Sequence, residues 1–314
     1  MRRNRSVLLG ILIAILLDAI AAGSDGEGKL SGRETTGRAT REIDSSSSPS
    51  SSEQGTAGRL RLPEQTTRTL GGFEIVVLTQ GNELHRYSMG RGDRWIRTTV
   101  AGVRGNLIGI DWRPADGLLY GINDANDLYR VDPDSGRAER ISSLTLGFEG
   151  SESSAFDFNP QADRLRLIAA SGQNLRVQVV LGAVAADGPL EFAPDDRHAG
   201  SQPRVTAAAY THNVPAAPTT RLFDIDWKLD ALLLQDPPND GVLQTVGPLG
   251  VDFGELGAFD ILTGSTGEEL AIAGSGQTLY RVDLEKGSAH AVGSIDDDAQ
   301  IIGISMFPSR SESR

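Results

Sequence analysis

The sequence predicts an all-β fold, a five-bladed β-propeller of four-stranded antiparallel blades. A hairpin motif recurs far along the chain, because LYRVDPDSGRA at 128–138 has a near copy, LYRVDLEKGSA, at 279–289. Apolar segments of strand length are interrupted by turn residues about every 8 to 12 positions, and no stretch keeps a helical period for three turns. A repeat of this kind is typical of an array of equivalent blades.

Four complete repeat units follow one another in the chain. The first, at 107–142, reads as four strands, LIGIDWRP, LLYGIND, DLYRVDP and GRAERIS, with turn-forming residues between them. The next three begin with SSAFDFNP (153–160), VTAAAYTHN (205–213) and LGAFDILTG (256–264), and each continues with three more apolar segments. The leading strands are apolar without strict alternation, which indicates that both of their faces pack on neighbouring blades.

The remaining segments form a fifth unit that is divided between the two ends of the domain. GFEIVVLTQ, NELHRYSMG and DRWIRTTVAG precede the first complete unit, and IIGISMFP (301–308) follows the last one. A blade built from both ends closes the ring with backbone hydrogen bonds. A β-sandwich or β-solenoid is the alternative, but a sandwich does not require the same hairpin to recur in phase. The predicted propeller covers residues 71–308, and 309–314 is predicted to be a disordered tail.

The N-terminus has the pattern of an export signal. Residues 1–22 have arginines at positions 2, 3 and 5, continue with the apolar run Val7–Leu17, and contain Ala19-Ile20-Ala21, which fits a small-x-small cleavage site. The apolar run is shorter than the roughly 20 residues of a spanning helix, although an uncleaved anchor is the alternative. We therefore predict a signal peptide and an extracytoplasmic location, periplasmic or secreted.

The segment between the signal and the propeller has the composition of a disordered linker. Residues 23–70 are rich in Ser, Thr and Gly, include SSSSPSSS at 45–52, and contain no aromatic residue. Such a segment cannot bury enough apolar surface to offset the entropy lost on ordering.

Composition excludes several functions. Thirty Lys and Arg residues stand against 42 Asp and Glu residues, a net charge of −12, which argues against a nucleic-acid partner. The absence of Cys excludes disulfides, thiolate nucleophiles and cysteine-based zinc sites. No nucleophile elbow or Walker loop is present. The four histidines, at positions 85, 198, 212 and 290, form no H-x-H or H-x-x-x-H pair, so a histidine site would need convergence of distant residues.

Long segments of the folded part match a known family. In chain order they are LIGIDWRPADGLLYGI, SAFDFNPQADRLRLIAASGQNLRV, VTAAAYT, LFDIDWKLDALLLQDPPNDGVLQTVGPLGVDF and GAFDI. From about residue 72 to residue 307 the chain resembles the bacterial domain of unknown function 4394 (DUF4394). The resemblance implies a propeller-like fold and an exported protein, but no reaction and no catalytic residues.

Alignment of the leading strands places three carboxylates in one column. The aligned segments are GIDW, AFDF, AAAY, AFDI and GISM, and the column contains Asp111, Asp157, Ala209, Asp260 and Ser305. Carboxylates that converge on a channel have the oxygen chemistry that Ca²⁺ or Mg²⁺ prefers. The interpretation that we favour is structural, with each Asp accepting backbone N–H bonds that fasten one blade to the next.

The loop GQNLR (172–176) contains the other candidate binding residues. Gln173, Asn174 and Arg176 are predicted to bond a polar ligand at the mouth of the channel.

The sequence predicts an exported binding or scaffold module, monomeric, with no stable membrane span after signal cleavage. Its partner would be an unknown small molecule, a glycan or an envelope protein. The alternative is a metal-dependent hydrolase or lactonase-like enzyme with its site in the channel. No catalytic residue is predicted, and Ca²⁺ is the only cofactor left open.

Overall fold

The computed structural model describes residues 60–64, 72–89, 94–295 and 298–309, and these contain 21 β-strands. The strands form five antiparallel blades arranged in a ring, which confirms the predicted fold class. The signal peptide, most of the linker and residues 310–314 lie outside the described residues. No helix among the described residues is long and apolar enough to cross a membrane.

The strands follow the order of the repeat units. The first blade begins with β1 (Phe73–Thr79), β2 (Glu83–Ser88) and β3 (Trp95–Thr99); the second contains β4 (Leu107–Arg113), β5 (Leu118–Asn123), β6 (Asp127–Val131) and β7 (Ala138–Ser143). The third contains β8 (Ser154–Asn159), β9 (Arg164–Ala169), β10 (Asn174–Gln178) and β11 (Ala183–Ala186). The fourth contains β12 (Glu191–Phe192), β13 (Val205–Tyr210), β14 (Leu222–Asp226), β15 (Ala231–Gln235) and β16 (Val242–Pro248). The fifth contains β17 (Gly257–Thr263), β18 (Glu269–Ser275), β19 (Thr278–Val282) and β20 (Ala289–Ser294), and β21 (Ile301–Pro308) returns to the first blade.

The first blade is closed by the two ends of the domain, as predicted. Strand β21 pairs antiparallel with β1, from Phe73 opposite Pro308 to Thr79 opposite Ile301. The innermost strands β21, β4, β8, β13 and β17 each contact the next one around the ring, and β17 contacts β21. The ring is therefore closed by backbone pairing within the first blade and by packing between neighbouring blades.

The fourth blade has one strand more than the sequence predicts. Strand β12 pairs in parallel with the outer strand β16, with Glu191 opposite Val242 and Phe192 opposite Leu243. A two-residue strand has too little periodicity to be recognised in the sequence, since it depends on a partner that lies far along the chain.

The recurring hairpin is explained by its turn. In the second blade Asp132 accepts bonds from the N–H groups of Asp134 and Ser135, both at 2.9 Å. In the fifth blade Asp283 does the same for Glu285 and Lys286, both at 3.0 Å.

A glycine with positive φ completes each of these turns. The φ angle is 71° at Gly136 and 80° at Gly287. A Cβ atom on either glycine would collide with backbone of the preceding blade's outer strand, at Thr99 or at Gly247. The motif thus combines an Asp-stabilised turn with close packing of one blade on another.

Small residues bring the five innermost strands together at the axis. Each stands two positions before the Asp column, and the five are Gly109, Ala155, Ala207, Ala258 and Gly303. A Cβ atom on Gly109 would lie only 2.7 Å from the Cβ of Phe156. The cavity between these strands has a volume of about 10 Å³, which is room for about one water molecule.

The described part of the predicted linker lies against the propeller. Leu60 is buried, in a cluster with residues of the first and fifth blades, and Leu62 packs on the same cluster. The N–H group of Arg61 donates a 2.6 Å bond to the carbonyl of Val292. Contact with the propeller is therefore present at Leu60, before the predicted domain start at residue 71.

Candidate functional site

The structure brings the three aspartates of the column together. One carboxylate oxygen from each of Asp111, Asp157 and Asp260 lies within 4.8 Å of the others. All three residues are at most 3% exposed. They come from β4, β8 and β17, whose equivalent positions in the ring place them at one level of the axis.

The column residues accept hydrogen bonds from the backbone of the following blade. In each case the donor is the residue directly after the column position of that blade. The bonds run from Phe158 N to Asp111 Oδ2 (2.8 Å), from Tyr210 N to Asp157 Oδ1 (3.0 Å), from Met306 N to Asp260 Oδ2, and from Trp112 N to Ser305 Oγ (2.8 Å). At four of the five blade junctions a column side chain thus accepts a bond from the backbone of the next blade.

The junction between the fourth and fifth blades has Ala209 at the column position and therefore lacks this bond. Ala209 has no side-chain oxygen that could accept from Ile261, the equivalent donor of the fifth blade. The Ile261 N–H group donates to the carboxylate of its own neighbour, Asp260, at 2.6 Å, as the Trp112 N–H group does to Asp111. Ser305 also donates to Asp111 Oδ1 at 3.0 Å, which links the first and second blades a second time.

Burial controls the charge of this cluster. Loss of hydration raises the pKa of Asp111 and of Asp157 well above the ordinary value, and the neighbouring carboxylates raise both further. Burial also raises the pKa of Asp260, to about 7, against the opposing effect of the N–H bonds from Met306 and Ile261. The three groups therefore cannot all be ionised at neutral pH.

The cluster has suitable ligands for a hard cation, but most of its oxygens have other roles. Asp111 and Asp260 each use both carboxylate oxygens as acceptors of hydrogen bonds. A divalent ion would compete with these backbone donors for the same lone pairs. Cation binding at Asp111, Asp157 and Asp260 stays a prediction.

The three residues predicted to bind a ligand at the channel mouth bond to the protein itself. Gln173 donates to the Gly147 carbonyl at 3.1 Å and accepts from the Glu149 N–H group at 2.9 Å. Arg176 forms a two-bond pair with Asp187, at 2.7 and 2.8 Å. The role of Gln173, Asn174 and Arg176 in ligand binding stays a prediction.

Asn174 belongs to a buried network around Arg166. The Arg166 side chain is 1% exposed and donates to Asn174 and Asp187, both at 2.6 Å. It also donates to the Tyr210 hydroxyl at 3.1 Å and to the Asn239 amide oxygen at 2.9 Å. These bonds join the third blade to the fourth, so the network stabilises a blade junction.

A cleft of about 620 Å³ opens between the fourth and fifth blades. Its walls come from the end of β13, the start of β14, the start of β18, and the hairpin formed by β19 and β20. The lining residues are Thr211, His212, Arg221, Phe223, Glu269, Arg281, Val282, Asp283, Leu284, Glu285 and His290. The cleft thus contains cations, carboxylates and two of the four histidines.

His212 is held in an uncommon backbone conformation at one wall of this cleft. Its φ angle is 55°, in the left-handed region that few non-glycine residues adopt. Its N–H group donates to Glu269 Oε1 at 2.9 Å, and Nδ1 lies 3.0 Å from the Thr219 carbonyl oxygen. Since a carbonyl oxygen only accepts, Nδ1 is the donor of this bond.

Glu269 lies beside the other ring nitrogen of His212. The His212 Nε2 atom is 3.9 Å from Glu269 Oε1. Burial raises the pKa of Glu269, although the bond from the His212 N–H group and the Thr263 hydroxyl oppose the increase. The wall therefore presents an imidazole nitrogen next to a carboxyl group that is partly withdrawn from water.

Two arginines of the cleft have no anionic partner among the described residues. The Arg221 guanidinium lies 4.7 Å above the ring centre of the buried Phe223. Neither Arg221 nor Arg281 has an ion pair or a side-chain hydrogen bond within the part of the chain that the structure describes. Asp283, on the same hairpin, is paired with Lys286 at 3.2 Å.

Sequence reasoning missed this cleft. His212 and His290 are distant in the chain, and neither occupies a position that the repeat marks as special. The only available signal was the presence of two histidines and several charges in the fourth and fifth units, and that signal does not show which of them meet.

Comparison with known proteins gives a family. No curated protein matches the sequence. A Bacteroides thetaiotaomicron protein of unknown function is 10% identical, with 74% of this chain and 56% of that chain covered and a TM-score of 0.46. Virginiamycin B lyase from Staphylococcus aureus is 11% identical, with 67% and 58% covered and a TM-score of 0.37. The chain therefore spans less than two thirds of the length of either.

The family model of the domain of unknown function DUF4394 matches residues 83–305. This range extends from the second strand of the first blade to the strand that closes the ring. It includes the Asp column and every residue that lines the cleft. The chain belongs to the DUF4394 family.

Proposed function

We propose that this protein is an exported binding module, and that the cleft between its fourth and fifth blades holds a polar small molecule. The observation that supports this most is the cleft itself, because its 620 Å³ volume falls within the range of about 300–1,000 Å³ typical of small-molecule sites. Two guanidinium groups with no ion pair among the described residues line it, together with carboxylates and imidazoles. The export signal predicted at residues 1–22 supports a periplasmic or secreted location.

The geometry at the centre of the ring supports a structural role for the Asp column. The innermost strands leave about 10 Å³ between them, which is too little for an organic substrate. A metal-dependent hydrolase or lactonase-like enzyme with its site in the channel therefore has less support than a module that binds in the cleft. We assign Asp111, Asp157 and Asp260 to the fastening of blades, with Ca²⁺ binding as the alternative.

A thermal-shift screen tests the proposed site. The probes are small polar molecules of three kinds, neutral, anionic and cationic, tested on the parent and on the double variant His212→Ala with Arg221→Ala. Both side chains are at least partly exposed, so the variant should fold. Arg197→Ala is the control, because Arg197 is an exposed arginine of the fourth blade outside the cleft.

The proposal predicts at least one probe that raises the melting temperature of the parent and of the control, but not of the double variant. A screen in which no probe depends on the cleft residues would contradict it.

A further inference from the structure

We infer that the cleft binds a small molecule that has one carboxylate and several hydroxyl groups, the chemistry of a sugar acid. This inference rests on the proposed function and narrows it to a ligand class. It is drawn from two guanidinium groups that have no ion pair among the described residues and from the carboxylates that line the same cavity.

The cationic groups select a planar anion. A guanidinium group matches a carboxylate through two parallel N–H···O bonds. Arg221 is held over the Phe223 ring, which limits its freedom before a ligand arrives. Arg281 lies in β19, on a strand rather than a loop, so its position is set by the sheet. Two positioned guanidinium groups facing one cavity are suited to a single carboxylate.

The acidic groups limit the charge that the ligand can have. Glu269, Asp283 and Glu285 line the same cavity, and a ligand with several negative charges would be repelled by them. Carboxylates accept hydrogen bonds from hydroxyl groups. The lining therefore favours one anionic group with hydroxyl donors around it over a dianion such as inorganic phosphate.

Calorimetric titration with three probes tests the ligand class. D-glucuronate, D-glucose and inorganic phosphate are titrated at pH 7 into the parent, Arg281→Ala, Arg281→Lys and the control Arg197→Ala. Glucuronate should bind the parent more tightly than glucose or phosphate. Removal of a charge-assisted hydrogen bond costs about 1.5–3 kcal/mol, so Arg281→Ala should weaken glucuronate binding about 10- to 100-fold.

The variants separate charge from geometry. Arg281→Lys keeps the charge and loses the paired donors, so its affinity for glucuronate should lie between those of the parent and of Arg281→Ala. Arg197→Ala should bind glucuronate as tightly as the parent does. Each variant is also checked for an unchanged melting temperature. Arg281→Ala should leave glucose binding nearly unchanged, because glucose has no carboxylate.

Several results would overturn the inference. They are absence of glucuronate binding, tighter binding of phosphate or glucose than of glucuronate, and glucuronate binding that is insensitive to Arg281→Ala. If a neutral compound depends on the cleft residues in the screen above, the sugar-acid class fails while the proposed function stands. If no compound depends on them, both fail.

Discussion

Asp157 is the residue at which the structural interpretation and the cation-site interpretation of the buried carboxylates differ most. One of its oxygens accepts the Tyr210 N–H bond, and its pKa is raised first by burial and then by Asp111. An unfolded chain ionises its aspartates near pH 3.9, whereas Asp260 in the folded cluster ionises only at about 7. Between these values the folded state binds more protons, so the cluster's contribution to the free energy of unfolding falls as pH rises.

Asp157→Asn should reduce this pH dependence. The amide oxygen can still accept from Tyr210, while one of three mutually repelling acids is removed. Denaturant unfolding of the parent and the variant between pH 5 and pH 8 should show a smaller loss of stability in the variant as pH rises.

Equal pH slopes in the two proteins would contradict the assignment of raised pKa values to this cluster. The same samples test the cation alternative. The structural interpretation predicts no effect of EDTA or Ca²⁺ on the melting temperature of either protein. A stabilisation by Ca²⁺ that Asp157→Asn abolishes would favour a cation site.

At the scale of the strand, the innermost strands depend on small side chains. Gly109 of β4 faces Phe156 of β8 so closely that an added Cβ would lie 2.7 Å from the Phe156 Cβ. Gly109→Ala should therefore push two blades apart and cost about 1–3 kcal/mol, the usual penalty for overpacking. Gly147→Ala is the matched control, because a Cβ there meets nothing within 4 Å. Thermal unfolding that finds the two variants equally stable would argue against close packing at the axis.

The strand β21 should be indispensable to the ring. Its apolar side chains are at most 3% exposed, and they are Ile301, Ile302, Ile304, Met306 and Phe307. Each contributes about 1.5–3 kcal/mol when buried, so deletion of residues 300–314 should cost several kcal/mol or prevent folding. Deletion of residues 310–314 alone is the control and should have no effect. If the protein without residues 300–314 has the same melting temperature as the parent, the first blade does not need this strand.

The elements could be predicted better than the contacts between them. The strands recur with the same apolar pattern and the same Asp–Gly turns, so one interpreted unit supports the others. The column Asp111, Asp157 and Asp260 was visible because it follows that repeat. The cleft was not visible, since Arg221, Arg281 and His212 occupy unrelated positions in different units and meet only through the packing of two blades.

At the scale of the whole molecule, the predicted export signal can be tested directly. Expression of the full chain in a bacterium with two membranes should yield a periplasmic or secreted protein whose first residue is Ala22, because Ala19-Ile20-Ala21 fits the cleavage pattern. Intact-mass measurement and N-terminal sequencing detect the cleavage. A mature protein that retains residues 1–21 and stays with the membrane would support the uncleaved anchor instead.

A crystal structure of the protein soaked with D-glucuronate separates binding in the cleft from binding in the channel. We expect ligand density between the fourth and fifth blades, with the carboxylate against Arg221 and Arg281 and with no ligand at the axis. Ligand density between the innermost strands, or at a surface away from the cleft, would contradict this expectation.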